Sequence, residues 1–215
     1  FFFHADDGIR DSVASRGLGD VYKRQASILS TKQLEKFLTQ LPEKYALLAE
    51  TMYFSAGRVG EISSLRVRNI NFSHGIIILE KSSTKTKETR QIPLPNRLIE
   101  GIKAWISHNK LVDDDYIFFT ASRNANYVKG KKRLSSQSVD EYFRKAFDWI
   151  GVEGASTHTF RRTRLTHLLQ KNWNVREIMD ISGHKNLLSL QQYLDSDKAA
   201  TFNKYRELIE KEAVA

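Results

Sequence analysis

From Ser30 onward the apolar residues fall at helical spacing. Leu34, Phe37, Leu38 and Leu41 line one face behind Ser30-Thr31-Lys32-Gln33, a serine followed three residues later by glutamine, which predicts a capping box and a helix to about Gln40. Pro42 suits the first position of a second helix, from about Glu43 to Ser55, with Leu47, Leu48, Met52 and Phe54 apolar. Gly57 is expected to break that helix, and Arg58 to Leu65 to begin another helical turn. The period then changes. His74-Gly75 reads as a turn, Ile76 to Leu79 as a β-branched strand, and Thr86 to Leu94 alternates loosely up to Pro93, so this stretch predicts a small antiparallel unit. Further helices are predicted over Leu98 to Ile106, Ser138 to Ile150 (burying Val139, Phe143, Phe147 and Ile150), His158 to Lys171, Val175 to Ile181, Leu188 to Leu194 and Ala199 to Glu212. Tyr116 to Phe119 reads as a short strand and Ala121 to Ser135 as a polar, basic loop. The predicted fold class is mainly α with a small antiparallel β-sheet, an α+β protein.

Phe1 to Gln25 does not share this patterning. It has no helical or strand period, and no basic segment precedes an apolar run as in a signal peptide. It resembles translated sequencing-adapter sequence, and the alternative is a native disordered extension. The folded domain is therefore expected over residues 26–215. The tail holds four basic and four acidic residues, so the whole net charge of +9 sits on the remainder.

That charge is uneven. Lys81, Lys85, Lys87 and Arg90 form one cluster, Lys129, Lys131, Lys132 and Arg133 a second, and Arg161, Arg162 and Arg164 a third. Clusters far apart in sequence are what one basic face for nucleic acid would require, although a solvated basic surface gives the same count. The absence of cysteine excludes disulfides and thiolate metal sites, and no paired-ligand spacing indicates a metal. No run approaches the ~20 apolar residues of a membrane span.

Four short segments carry candidate chemistry, and each has an ordinary reading beside it. Arg58 follows a helix-breaking glycine and can point into a cleft, or be a surface arginine at a helix start. Lys85 sits near the tip of the predicted β unit, as a solubilising turn lysine or as a proton donor delivered by loop motion. His158 and Arg161 are i, i+3 at a helix start that Ser156 or Thr157 can cap, where the dipole favours phosphate, or they are scattered polar residues of a surface helix. His184 follows Gly183, and Tyr193 lies nine residues on, in what reads equally as an amphipathic turn.

In this order the segments resemble the tyrosine recombinase (phage integrase) family, over about Ser30 to Asp197. Ser55-Ala56-Gly57-Arg58-Val59-Gly60-Glu61 is similar to its first arginine box. Lys85-Thr86-Lys87-Glu88-Thr89-Arg90-Gln91-Ile92-Pro93-Leu94 is similar to its hairpin-lysine motif. His158-Thr159-Phe160-Arg161-Arg162-Thr163 is similar to its second box, and Gly183-His184 with Tyr193 to its third. Lys87 competes with Lys85 for the lysine role, and Arg162 stands where the family often has histidine.

The resemblance implies the recombinase catalytic-domain fold and cleavage and rejoining of DNA strands through a 3′-phosphotyrosine. Tyr193 would be the nucleophile, His158 the base, Arg58 and Arg161 the clamp on the non-bridging oxygens, His184 a donor to the phosphate and Lys85 the acid. No cofactor or metal is implied. Lys87, Arg90, Lys131, Lys132, Arg133 and Arg162 are the expected further DNA contacts. Expected partners are double-stranded DNA, a tetramer of like protomers on it, and an accessory DNA-bending protein. The expected location is the prokaryotic cytoplasm, on the nucleoid or encoded by a phage or mobile element. The family's N-terminal DNA-clamping domain is expected to be missing here, so the chain alone should recombine poorly. Phe202, Tyr205, Leu208 and Ile209 share a helix face that packs on its own domain or docks on a neighbouring protomer. A non-catalytic DNA-binding module and a Xer-type or topoisomerase-like relative remain the alternatives.

Overall fold

The computed structural model describes residues 28–80, 82, 88–122, 126–191 and 198–213. Phe1 to Gln25, Lys85, Lys87 and Tyr193 lie outside the described residues. Helix α1 (Thr31–Thr39) begins with the reciprocal cap: the Ser30 hydroxyl accepts from the Gln33 N–H, and the Gln33 side chain accepts from the Ser30 N–H at 2.9 Å. α2 (Glu43–Ser55) follows Pro42 and α3 (Val59–Ser63) follows Arg58. A 3-10 turn over Val67–Asn69 then leads into a three-stranded antiparallel sheet of β1 (Ile70–Asn71), β2 (Ile76–Leu79) and β3 (Arg90–Pro93), in that order. Ile77 faces Ile92 and Leu79 faces Arg90 across the β2–β3 ladder, and these four side chains are the buried ones of the two strands. The remaining elements are α4 (Asn96–Asn109), α5 (Ser136–Trp149), α6 (Thr157–Gln170), α7 (Val175–Ser182), α8 (Leu187–Gln191) and α9 (Lys198–Ala213).

Two details differ from the pattern-based expectation. Tyr116 to Phe119 is not a strand; Tyr116 bridges Arg66 and Phe119 bridges Arg133, each as a single isolated pair. Ile117, Phe118 and Phe119 are all buried, so the segment has no solvent face to alternate against and threads the interior between two neighbours. The break after α2 is also made differently. Ala56, not Gly57, adopts the left-handed conformation, at φ 48°. Gly57 is needed for space instead, because a Cβ there would lie 2.5 Å from Ile62 Cδ1.

The core fixes α6, the helix of the second box. Phe37 of α1 stacks on Phe147 of α5 at 4.2 Å between ring centroids and meets Phe160 of α6 edge-on at 5.4 Å. Phe143 closes the cluster against Phe160 at 5.5 Å. Each buried ring contributes about 2–3 kcal/mol by area, and each pair about another 1 kcal/mol. Leu29, fully buried, ties the chain ahead of α1 to the same helix by donating its N–H to the Thr163 hydroxyl at 3.0 Å. The N-terminus of α6 is capped from α5: the N–H and hydroxyl of Thr157 both donate to Asp140 Oδ1, at 3.0 and 2.8 Å. Burial alone would raise the Asp140 carboxyl, but the Thr157 N–H, Arg144 and the Thr157 hydroxyl outweigh it and hold it below the usual carboxylate range.

At the other end of the chain, the apolar face of α9 is open: Phe202 is 70% exposed and Tyr205 61%, with Leu208 and Ile209 also exposed. No helix among the described residues is long and apolar enough to cross a membrane.

Candidate active site

Arg58 is the residue before the first turn of α3, and Glu61 one turn on holds it twice. The Arg58 backbone N–H donates to Glu61 Oε2 and Nη1 donates to Oε1, both at 2.9 Å. The guanidinium keeps partial solvent access, with 23% of its side chain exposed against 2% for Glu61. Arg161 comes from the first turn and a half of α6, 103 positions later in the chain, and is 1% exposed. Its Nη1 donates to the Ala56 carbonyl at 2.6 Å and its Nη2 to the Ser182 carbonyl at 2.8 Å, so the end of α2 and the end of α7 grip it together. Two backbone acceptors on opposite sides lock a fork-shaped cation in place.

His184 completes the group. Gly183 ends α7 in the left-handed conformation at φ 69°, which turns the chain so that His184 folds back on Arg161. Arg161 Nη2 lies 3.0 Å from His184 Nε2 and 3.3 Å from Nδ1, and the Ser182 hydroxyl lies 2.6 Å from Nδ1. A guanidinium only donates, so the ring is neutral and presents a bare nitrogen to it. Burial, followed by the charges of Arg161, Arg58 and Arg90, pushes its pKa down to about 3. The three segments carrying Arg58, Arg161 and His184 therefore meet around one point.

This has a consequence for stability. Between pH 6.5, where the unfolded imidazole titrates, and about 3, the unfolded chain binds a proton at His184 that the folded chain does not. Stability contributed by this group is complete above pH 6.5 and is lost as pH falls through that window, at up to about 1.4 kcal/mol per pH unit. Urea unfolding of the parent and of His184→Asn at pH 7, 6 and 5 should show the steeper decline in the parent; parallel declines would contradict it.

The other expected site residues are placed as follows. His158 is exposed on the first turn of α6, while Arg161, one turn on, is buried, so the two do not share an environment. Lys132 and Arg133 are exposed, and Arg133 Nη1 donates to Ser64 Oγ at 2.9 Å and Ser63 Oγ at 3.2 Å beside α3. Lys131 pairs with Asp115 at 2.6 Å. Arg90 and Arg162, also expected as DNA contacts, both lie largely buried. Arg90 is 8% exposed, because the strand alternation that turns Ile92 inward turns Arg90 inward too. Arg162 is 7% exposed, because α6 is covered on nearly every side. Lys85, Lys87 and Tyr193 lie outside the described residues. Among the described residues no cluster of three or more His, Asp or Glu is placed to hold a metal ion.

Glu61 was not singled out by the sequence pattern, yet it joins Arg58 to Arg90, whose Nη2 donates to it at 2.8 Å. The signal was present: an acidic residue three positions after a candidate arginine, in a turn with Ile62 that the apolar pattern buries.

Residues 27–200 match the Phage integrase family, and the chain belongs to that family. The tyrosine recombinase of Pseudothermotoga lettingae is 28% identical over 204 residues, covering 92% of this chain and 65% of that protein. Tyrosine recombinase XerA of Thermococcus onnurineus is 29% identical over 168 residues, covering 77% of this chain and 56% of the relative. Thus the chain spans less than two thirds of the length of these relatives. Among solved structures, a XerA recombinase crystal structure superposes with a TM-score of 0.69 at 18% identity, covering 85% of this chain and 65% of that one. The Tn1549 transposon integrase bound to transposon right-end DNA gives 0.66 at 17% identity, covering 87% and 66%. The fold is the one these recombinases share.

Proposed function

We propose that this chain carries the catalytic site of a site-specific DNA recombinase or integrase, and that it cuts and rejoins strands of double-stranded DNA through a 3′-phosphotyrosine. The observation that supports this most is the meeting of Arg58, Arg161 and His184, from three distant segments, around a neutral imidazole and two anchored guanidiniums. The Tyr193 phenol oxygen attacks the scissile phosphorus as its proton passes to His158. The P–O bond to the 5′ carbon's oxygen breaks, and Lys85 supplies the proton to that oxygen. Arg58 and Arg161 hold the non-bridging oxygens as charge builds on them, and His184 is a further donor to the same phosphate, its one N–H exchanging the Ser182 hydroxyl for a phosphate oxygen. Such fixed donors act most strongly where water is excluded, as around Arg161. The phosphodiester's energy is kept in the tyrosyl ester, so attack by another 5′-hydroxyl rejoins strands without a nucleotide.

DNA would lie on the side reached by Lys131, Lys132 and Arg133, with Lys87 as a further contact. The exposed face of α9, with Phe202, Tyr205, Leu208 and Ile209, would dock on a neighbouring protomer in a tetramer on DNA. The solved relatives bound to DNA include the Tn1549 integrase with its transposon end.

The test is a duplex nicked close to the scissile phosphate, from which the leaving fragment diffuses away. A protein–DNA adduct that survives detergent and maps by peptide mass to Tyr193 is the expected result. No adduct between pH 6 and 9 would leave a non-catalytic DNA-binding module as the better reading.

A further inference from the structure

Arg90 opens β3 where the chain returns from the segment that holds Lys85. Its guanidinium spans two elements. Nη2 donates to Glu61 Oε2 at 2.8 Å, and Nη1 donates to the Ile181 carbonyl at 2.7 Å. Gly183 lies against its face: a Cβ there would sit 2.8 Å from Arg90 Nε and 2.9 Å from Cζ. Ile181 and Ser182 are successive residues at the C-terminal end of α7, where the last carbonyls lack helical partners and carry partial negative charge. Arg90 takes the first of these carbonyls and Arg161 takes the second. His184 follows directly after Gly183.

Glu61 is shared. One oxygen accepts from the Arg58 guanidinium, and the other accepts from the Arg58 backbone and from Arg90. With both arginines present, the single carboxylate balances only one of two positive charges. Without Arg90, Glu61 has Arg58 alone, and the ion pair would draw Arg58 back toward α3.

We propose that Arg90 is a positioning residue of the catalytic site: by bridging Glu61 to the Ile181 carbonyl, it sets Arg58 and His184 toward one phosphate and keeps Arg58 from being neutralised by Glu61. It rests on the DNA-cleaving function proposed above. Arg90 does this from beneath the site, without touching DNA. A lysine cannot replace it, since one ammonium does not reach two acceptors held on opposite sides of a planar fork.

The experiment compares the full chain with Arg90→Gln and Arg90→Lys on the nicked duplex. The scissile group is either an ordinary phosphate or a methylphosphonate, in which one charged oxygen is replaced by methyl. Thermal unfolding and the salt dependence of DNA binding are followed in parallel. On the phosphate, adduct formation by Arg90→Gln should fall about 10²-fold, the usual effect of a misplaced catalytic group. On the methylphosphonate, which needs less from Arg58, the loss should shrink to about tenfold or less. Arg90→Lys should fall between, and neither variant should alter the salt slope of binding.

A merely structural role would reduce both substrates by the same factor, and that result would overturn the proposal. So would a salt slope lowered by about one, the mark of a lost phosphate contact. If Arg90→Gln does not fold, the substrate ratio of Arg90→Lys decides alone. A parent chain that forms no adduct on the ordinary phosphate removes the proposed function itself, which is a different result from an active parent with unaffected variants.

Discussion

Tyr193→Phe is expected to form no covalent adduct on the nicked duplex while binding it within about twofold of the parent, because the lost oxygen acts only in the transition state. The substitution removes one atom and leaves the ring. An ordinary tyrosine has a pKa of about 10, so at neutral pH the phenol attacks only when its proton is taken as it reacts. In the proposed site Arg58, Arg161 and His184 would hold phosphate, but none of them brings an attacking oxygen. Detergent-resistant adduct measured by gel and binding measured by anisotropy read the two quantities separately. An adduct that persisted in the variant would assign the nucleophile to another residue and sink the reading of Tyr193.

The second large effect is expected at Arg161. Arg161→Ala should lower the single-turnover cleavage rate by about 10²- to 10³-fold or more, as loss of a preorganised donor at the charged oxygens does. It should also destabilise the fold by about 2–4 kcal/mol, since the Ala56 and Ser182 carbonyls lose the donor that joins α2 to α7. Arg164, one turn further along α6, is the contrast. Its guanidinium lies 5.4 Å from the Tyr53 ring centroid and 5.5 Å from that of Phe54. Arg164→Ala should cost about 0.5–1 kcal/mol of stability by loss of those contacts and leave cleavage within about twofold. Rates measured at a temperature where urea curves show both variants folded separate chemistry from stability. Equal losses of cleavage in the two variants would mean that α6 presents its arginines differently from the arrangement found here.

What could be read from the chain depended on whether the cause was local. The cap of α1 by Ser30 and Gln33 is a three-residue relation, and the pattern showed it directly. The hairpin announced itself in Ile76 to Leu79, and the boxes around Arg58, Arg161 and His184 in short runs whose order carried the family resemblance. The tie from Glu61 to Arg90 spans 29 positions and that from Arg90 to Ile181 spans 91, so no window of sequence contains them. The burial of Arg90 and Arg162 was not legible in the charge clusters, because charge says nothing about facing. Extending the alternation back from Ile92 would have turned Arg90 inward. Tyr116 to Phe119 looked like a strand because an interior connector is as apolar as one. At Ala56 and Gly57 the glycine was noticed for the wrong freedom: Ile62 needs the room, and alanine takes the unusual backbone angle.

Leu29 gives the architecture a mechanical property. Its backbone is bonded to Thr163, two positions along α6 from Arg161, and its side chain is sealed in the interior. A close-packed interior transmits strain instead of absorbing it. Leu29 and Ser30 thus join α1 to α6 as a taut link and not as a slack tether, and a pull on Leu29 would bear directly on the helix that holds Arg161.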